Sequence, residues 1–501
     1  MNRRHFLRNT VGAAVAAALP SGAAALQHSL TTVSSSVVGR SADGQELTLE
    51  KAALEELKGA LRGKLFLAGS DGYDASRRVL NPGIDKYPAL VVQPSGATDV
   101  STAVTFAMER GLLVAVKCGG HSFSGRSTCD GGIQIDLSTM RGARIDRAGK
   151  RAFVEGGSLL GDLDHESMAQ GLVTTAGTVS HTGVGGLSLG GGFGRLARKY
   201  GLTLDNIMSV DIVSADGVLR RASAEENPDL YWGIRGGGGN FGVVTSFEFG
   251  LHEMGRTVIA GDVVFPTDRA RDVFRFYADY SREAPDELSL DLIMSAPPTG
   301  KPGAVIMHAV YSGDHSNAES VLAPIKKLGE PLANTIGPVD YVALQRSWDN
   351  SDPRHGGDYL KSGFVADIDG AQIDAIVDGF EADPERATTF FYQQSGGAIN
   401  RVTEDATAFA NRNAINSPAI IVAWNSGADP EPHIGYIRSY WSTIEKFTDG
   451  FYTNVGDYET QARINKNYRG NYQRLVEIKD RYDPANLFRL NANVRPSGAG
   501  G

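Results

Sequence analysis

Residues 117–125 read KCGGHSFSG and place one imidazole, His121, in a loop otherwise built from small residues. Gly119 and Gly120 tolerate positive φ and put no Cβ in the way. The backbone N–H groups around Cys118, Gly119, Gly120, Ser122 and Gly125 can therefore come close to an anionic ligand such as a pyrophosphate. His121 would then face that ligand. An ordinary tight turn uses glycine pairs as well, so this loop alone leaves the choice open.

A second small-residue stretch starts at Thr174: TTAGTVSHTGVGGLSLGGGFGRLARKYGLTLDNI. Its glycines at 177, 183, 185, 186, 190, 191, 192 and 194 are too dense for an ordinary strand or a stable helix, which predicts a helix only from about Arg195. Backbone N–H groups here suit the same anion. The candidates are Thr178, Val179, Thr182, Gly183, Gly186, Gly190, Gly191, Gly192 and Gly194, with His181 as a further polar group. Farther on, YWGIRGGGGNFGVVTSFEF contains GxGxxG at 237, 239 and 242. The run that follows, with Val244 in it, reads as a strand where a dinucleotide fingerprint needs a helix, and this excludes a Rossmann site. A Walker A loop is excluded too, because 59–64 is one residue short of the required spacing.

The elements that must hold these loops can be read from periodicity. Residues 47–65 have helical spacing, 87–94 read as a short strand ended by proline, 99–110 as an amphipathic helix and 112–116 as a buried strand, which together form a βαβ-type unit. Strands follow at 131–137, 151–155 and 210–213, with a helix at 159–170. From about 256 the pattern changes to alternating strands (288–294, 304–311, 390–394, 419–424) separated by helices at 269–280 and 372–380, an α+β domain with an antiparallel sheet. The tail YRGNYQRLVEIKDRYDPANLFRLNANV gives a helix, a proline stop and a segment carrying Asn491 and Asn493.

A chain of 501 residues calls for two or three domains, and its net charge of −9 disfavours a nucleic-acid partner. The ten histidines show no metal-ligand spacing, so no metal site is expected. Two cysteines, Cys118 and Cys129, would permit one small disulfide but read more simply as two buried thiols. Arg3 and Arg4 precede an apolar run and an alanine triplet, the pattern of a twin-arginine signal peptide. This implies passage through the twin-arginine export machinery and a periplasmic or secreted protein. No later stretch reaches a membrane span, so the mature protein is expected to have no membrane anchor.

Five motifs in order (the strand entering GGHS, then IDL, GVGGLSLGGGFGRLARKYGLTLDN, RGGGGNFGVVT and YDPANLFRLNAN) resemble the berberine-bridge-enzyme-like branch of the vanillyl-alcohol-oxidase flavoproteins. The resemblance implies an α+β fold: a two-lobed, discontinuous PCMH-type FAD-binding domain and an antiparallel-sheet substrate domain over the flavin. The implied division is a signal peptide at 1–25, a linker and first part at 26–85, the FAD-binding domain at 86–255, the substrate domain at 256–450 and a C-terminal segment at 451–496. The implied cofactor is FAD, with His121 matching the histidine bonded to the flavin 8α methyl. Many members add a cysteinyl bond four residues before the first glycine of the GVGG-type motif. Val179 stands there, so only the histidyl bond is available.

The expected function is an exported FAD-dependent oxidoreductase, most simply an oxidase, that removes hydride from an alcohol, sugar or amine-bearing small molecule. Oxygen or another electron acceptor completes the cycle. A flavin-dependent oxidative cyclase and a non-catalytic flavin- or ligand-binding protein are the alternatives. Candidates for the proton-accepting group are Tyr359, Tyr392, Gln394, Arg412, Tyr452, Asn454 and Tyr468. Tyr468 leads, because it resembles a family tyrosine that approaches the flavin, and His181 is next. A Tyr468 phenolate needs a cation, with Arg469, Lys466 and Arg412 as the candidates.

Overall fold

The computed structural model describes residues 32–296, 303–350, 356–382 and 388–498, so the arginine-pair leader lies outside the described residues. The apolar run at 112–116 enters a four-stranded sheet ordered Lys64–Leu67, Leu90–Gln93, Ile133–Asp136, Val114–Lys117. The last three strands are parallel, and helix Ala97–Glu109 crosses between two of them as the βαβ reading predicts. Parallel strands are covered on both faces and so read as unbroken apolar runs, and Val91, Val92, Ile133 and Ile135 are fully buried.

The 47–65 stretch is not one helix. It divides into strand Glu46–Leu49, helix Lys51–Ala60 and strand Lys64–Leu67. The Asp99 carboxylate accepts from the N–H groups of Arg62 and Gly63 at 3.0 and 2.8 Å, and a Cβ on Gly63 would stand 2.2 Å from Gln93 O. Tertiary contacts at these two residues end the helix and turn the chain into the sheet.

A second, antiparallel sheet of five strands is ordered Leu219–Ser223, Ile207–Ser214, Gly242–Gly250, Arg151–Glu155, Ala143–Asp146. The stretch after the 237–242 glycines is therefore a strand, as read. The second glycine-rich region departs from expectation, because Val184–Gly190 is helical, well before Arg195. Each glycine costs such a helix about 1 kcal/mol relative to alanine, yet burial of Val184 and Leu189 in the adjoining core outweighs propensity here.

A third sheet has eight antiparallel strands. Its main path runs Ala333–Asn334, Thr257–Pro266, Ala304–Tyr311, Leu288–Ser295, Thr388–Gln394, Asn416–Trp424, Gly357–Ser362, and Gly337–Asp340 also pairs with Thr257–Pro266. Helices Ala270–Glu283, Gly370–Glu381 and Glu431–Ile444 pack on one face through Phe274, Tyr277, Ile376 and Trp441. The opposite face turns toward the glycine-rich loops. The architecture is the expected α+β class, with parallel pairing, among the described residues, confined to the first sheet.

The tail closes the molecule. Helix Tyr472–Tyr482 buries Leu475 and Ile478 against the core that holds Phe241. The fully buried Lys479 donates from Nζ to Asn240 O at 2.7 Å, Phe488 O at 2.9 Å and Asp483 Oδ2 at 2.6 Å. Asp483 also accepts from the N–H groups of Leu487 and Phe488, and the Asn240 side chain bonds Ala492 O and Val494 N. Among the described residues, no helix is long and apolar enough to cross a membrane.

Candidate active site

The two glycine-rich loops meet backbone to backbone. A Cβ on Gly119 would stand 2.4 Å from Gly183 N, and one on Gly183 would stand 2.3 Å from Gly119 N, so neither position admits a side chain. Entry to the first loop is fixed by buried Lys117, which pairs with Asp136 Oδ2 at 3.3 Å and donates to the carbonyls of Ser76 and Arg78. The approach brings His121 Nε2 to 2.7 Å from His181 Nδ1, while His181 Nε2 lies 3.2 Å from Asp349 O. The Asp349 carboxylate accepts from Ser180 N at 2.8 Å and Ser180 Oγ at 2.6 Å, gripping the His181 loop from the substrate side.

Above these loops lies a cavity of ≈ 810 Å³. Its floor contains Cys118, Gly119, Gly120, His121, Ser122, Thr178, Val179, Thr182, Gly183 and Gly186, joined by Val244 and Asn491 from later in the chain. The floor fits an elongated, phosphate-bearing cofactor. Cβ atoms on Gly186 or Gly238 would point into open space, and no group among the described residues accepts from the backbone N–H of Gly120 or Ser122. These are donors and clearance that a pyrophosphate requires.

Six predicted cofactor residues fall elsewhere. Gly190, Gly191 and Gly192 are pressed against Asn454, Tyr452 and Thr203, and Gly194 against Ala176 O. Gly125 packs on Ile84, and Asn493 offers its backbone O to Gln461. None of the six lines the cavity. These glycines are required for close packing of chain on chain, which produces the same sequence signal as close approach to a ligand. Both thiols are free, and burial pushes Cys118 up to about 11 and Cys129 up to about 12.

The roof is the exposed face of the eight-stranded sheet. Asp291, Ile293 and Ser295 come from one strand, Thr389, Phe391 and Gln393 from the next. Strand alternation puts Tyr392 and Gln394 on the other face: Tyr392 is buried among Phe274, Tyr277 and Phe390, and Gln394 bonds Leu290 N and Ser281 O. Tyr359 likewise lies off the cavity and donates to Asp457 Oδ2 at 2.7 Å. Tyr452 and Asn454 line the cavity, where the Tyr452 hydroxyl accepts from Gly192 N and from Asn454 Nδ2.

Tyr468 also lines the cavity, but burial pushes its phenol well above the usual value, and the cation beside it is Arg126. Arg469 is engaged by Glu404 and Asp449, and Arg412 by Asp205. Burial thus favours the neutral phenol, and Arg126, rather than Arg469 or Arg412, is the cation that opposes it.

Asp291 was not singled out by sequence. Its Oδ1 accepts from Gln394 N at 2.9 Å, and it belongs to a polar row across the roof in which it pairs with His308 and His308 pairs with Asp262. His308 Nδ1 lies 2.7 Å from Asp262 Oδ1, and Arg195 Nε reaches His308 Nε2 at 3.4 Å. Burial raises the Asp291 carboxyl above its ordinary range, opposed by the Gln394 N–H and by the charges of His308 and Arg195. Among the described residues no group of His, Cys, Asp or Glu is arranged to hold a metal ion.

Comparison with known proteins agrees with this geometry. Residues 88–223 match an FAD binding domain, and 451–495 match the family described as berberine and berberine-like. An FAD-linked oxidoreductase of Dictyostelium discoideum is 32% identical over 87% of this chain and 95% of its own length. The crystal structure of 6-hydroxy-D-nicotine oxidase from Arthrobacter nicotinovorans superposes with a TM-score of 0.80 at 27% identity, covering 87% of this chain and 98% of that one. Glucooligosaccharide oxidase from Acremonium strictum, described with a 6-S-cysteinyl, 8α-N1-histidyl FAD, gives 0.80 at 26% identity over 88% and 98% of the two chains.

Proposed function

We infer, from a chain that belongs to the FAD-linked oxidoreductase family and carries its berberine-like tail, that it is an exported oxidase of small hydroxyl- or amine-bearing molecules. The observation that carries the reading is a single cavity with a glycine floor around His121 and an acid-bearing roof. Residues 86–255 with 451–496 would hold the cofactor, and 256–450 would supply the roof. Bound FAD supplies a two-electron acceptor. The chain's own groups bind and orient: the N–H groups at Gly120 and Ser122 hold the anion, and the roof keeps substrate against the floor.

The substrate's O–H or N–H proton needs an acceptor as its carbon loses hydride, and Asp291 is the acid of the roof row that reaches the cavity. The relatives' names, oxidases of a nicotine derivative and of an oligosaccharide, support both the substrate classes and oxygen as electron acceptor. The testing experiment mixes anaerobic enzyme with alcohols, sugars and amines and follows flavin bleaching, then admits oxygen and assays peroxide. A flavin that no compound bleaches would overturn the oxidase reading.

A single covalent bond through His121 is part of the reading. Val179 offers no thiol, and the half-buried Cys118 donates to Ser158 O at 3.4 Å. Acid precipitation should leave flavin on the wild-type chain, and His121→Ala should release it into the supernatant. A thioether-linked flavin peptide would contradict this assignment.

The twin-arginine pattern supports export of a chain already folded around its cofactor. Replacing Arg3 and Arg4 by lysine should leave unprocessed precursor in the cytoplasm on fractionation and blotting. Export at the wild-type level would remove that route.

A further inference from the structure

The contact between His121 and His181 fixes more than distance. Asp349 O is a carbonyl and can only accept, so His181 must donate to it from Nε2. A neutral His181 protonated at Nε2 presents a lone pair at Nδ1, and the 2.7 Å contact there requires His121 to donate from its own Nε2. His121 is then the Nε2–H tautomer, with its basic lone pair on Nδ1. Thr182 Oγ1, 3.5 Å from that nitrogen, lies on the side of a hydroxyl donor. The relay is held externally, because the Asp349 carboxylate fastens Ser180 through both N–H and hydroxyl.

We propose that His181 is a positioning residue whose Nδ1 sets the tautomer of His121 and thereby directs covalent flavin attachment to His121 Nδ1. The proposal rests on the histidyl linkage inferred above. In the bond-forming step the Nδ1 lone pair bonds the 8α carbon and the methyl C–H bond breaks, its proton leaving to solvent. The two electrons of that C–H bond pass into the ring system, which the electron acceptor of oxidase turnover then reoxidises. His121 would become cationic on alkylation, and its Nε2 proton passes to His181 Nδ1, leaving His121 neutral and His181 protonated.

The test needs no substrate. Full-length protein is purified with its flavin, denatured, and read by in-gel flavin fluorescence and intact mass. Wild type should be covalently flavinylated, with the modified peptide linked at Nδ1 by NMR. His181→Phe keeps a ring but offers no acceptor. It should lower the covalent fraction by roughly tenfold or more while dissociable flavin remains bound. His181→Asn, whose Oδ1 can take the place of Nδ1, should restore much of it. A purely structural role would lower bound flavin in both variants alike. Equal covalent fractions in His181→Phe and wild type would overturn the proposal, as would linkage through Nε2, which is read on the wild type even where a variant does not fold. Wild type with no covalent flavin at His121 would instead overturn the linkage reading beneath it.

Discussion

Asp291→Asn is expected to slow anaerobic flavin reduction by about 10²–10⁴-fold while the visible spectrum and covalent flavin content stay at wild-type values. The substitution keeps shape and the bond from Gln394 N but removes the ability to take a proton. The pH profile should separate the role of a base from that of a wall. A base works ionised, so the wild-type rate should fall as pH drops through the carboxyl's own value, which burial holds above the ordinary range near 4. The charged groups on this carboxyl's side of the sheet are His308 on the neighbouring strand and Arg195, with Asp262 one strand farther along the row, while Tyr277 sits on the helix-covered face. Its acid limb should vanish in the Asn variant, and a rate within a few-fold of wild type at every pH would take Asp291 out of the reaction.

Lys479→Met should cost the largest share of stability, about 3–5 kcal/mol, because it leaves Asp483 as a buried charge without its cation and strips the donor from Asn240 O and Phe488 O. Thermal denaturation followed by flavin fluorescence should show a lowered Tm, since the lysine ties the tail helix to the glycine turn under the cavity. Adding Asp483→Asn should recover part of the loss, as neutralising the orphaned carboxylate removes its desolvation penalty. Strictly additive losses in the double variant would show that the pair is not coupled.

The floor of the site was legible because backbone approach demands glycine, and glycines at 119, 120, 183 and 186 cannot be replaced by patterning elsewhere in the chain. The same signal overreached at Gly190, Gly191, Gly192 and Gly194, where the close neighbour is Asn454, Tyr452, Thr203 or Ala176 O. The roof was legible only as alternation. Period two separates Tyr392 and Gln394 from Phe391 and Gln393, but which set meets the cavity depends on pairing between strands some hundred residues apart. Asp291 looks in sequence like the solvent-facing residue of LSLDLIMS, and only the loops brought over that strand make it buried. Tyr468 lines the cavity, but burial there favours its neutral phenol, and the cation that opposes this, Arg126, lies 342 positions earlier in the chain, out of reach of any local spacing.

The clasp between the 237–242 turn and residues 479–494 also sets a schedule for synthesis. As the ribosome extends the chain, the strands at 90–136 and the glycine loops emerge early, but Asn240 has no Ala492 or Val494 to hold and its carbonyl has no Lys479 until some 240 further residues have followed. A nascent chain stalled before residue 479 should therefore present an open half-site that loses flavin readily. Cofactor capture becomes a checkpoint at the close of translation, so that retention of flavin reports that the whole chain has been made and folded.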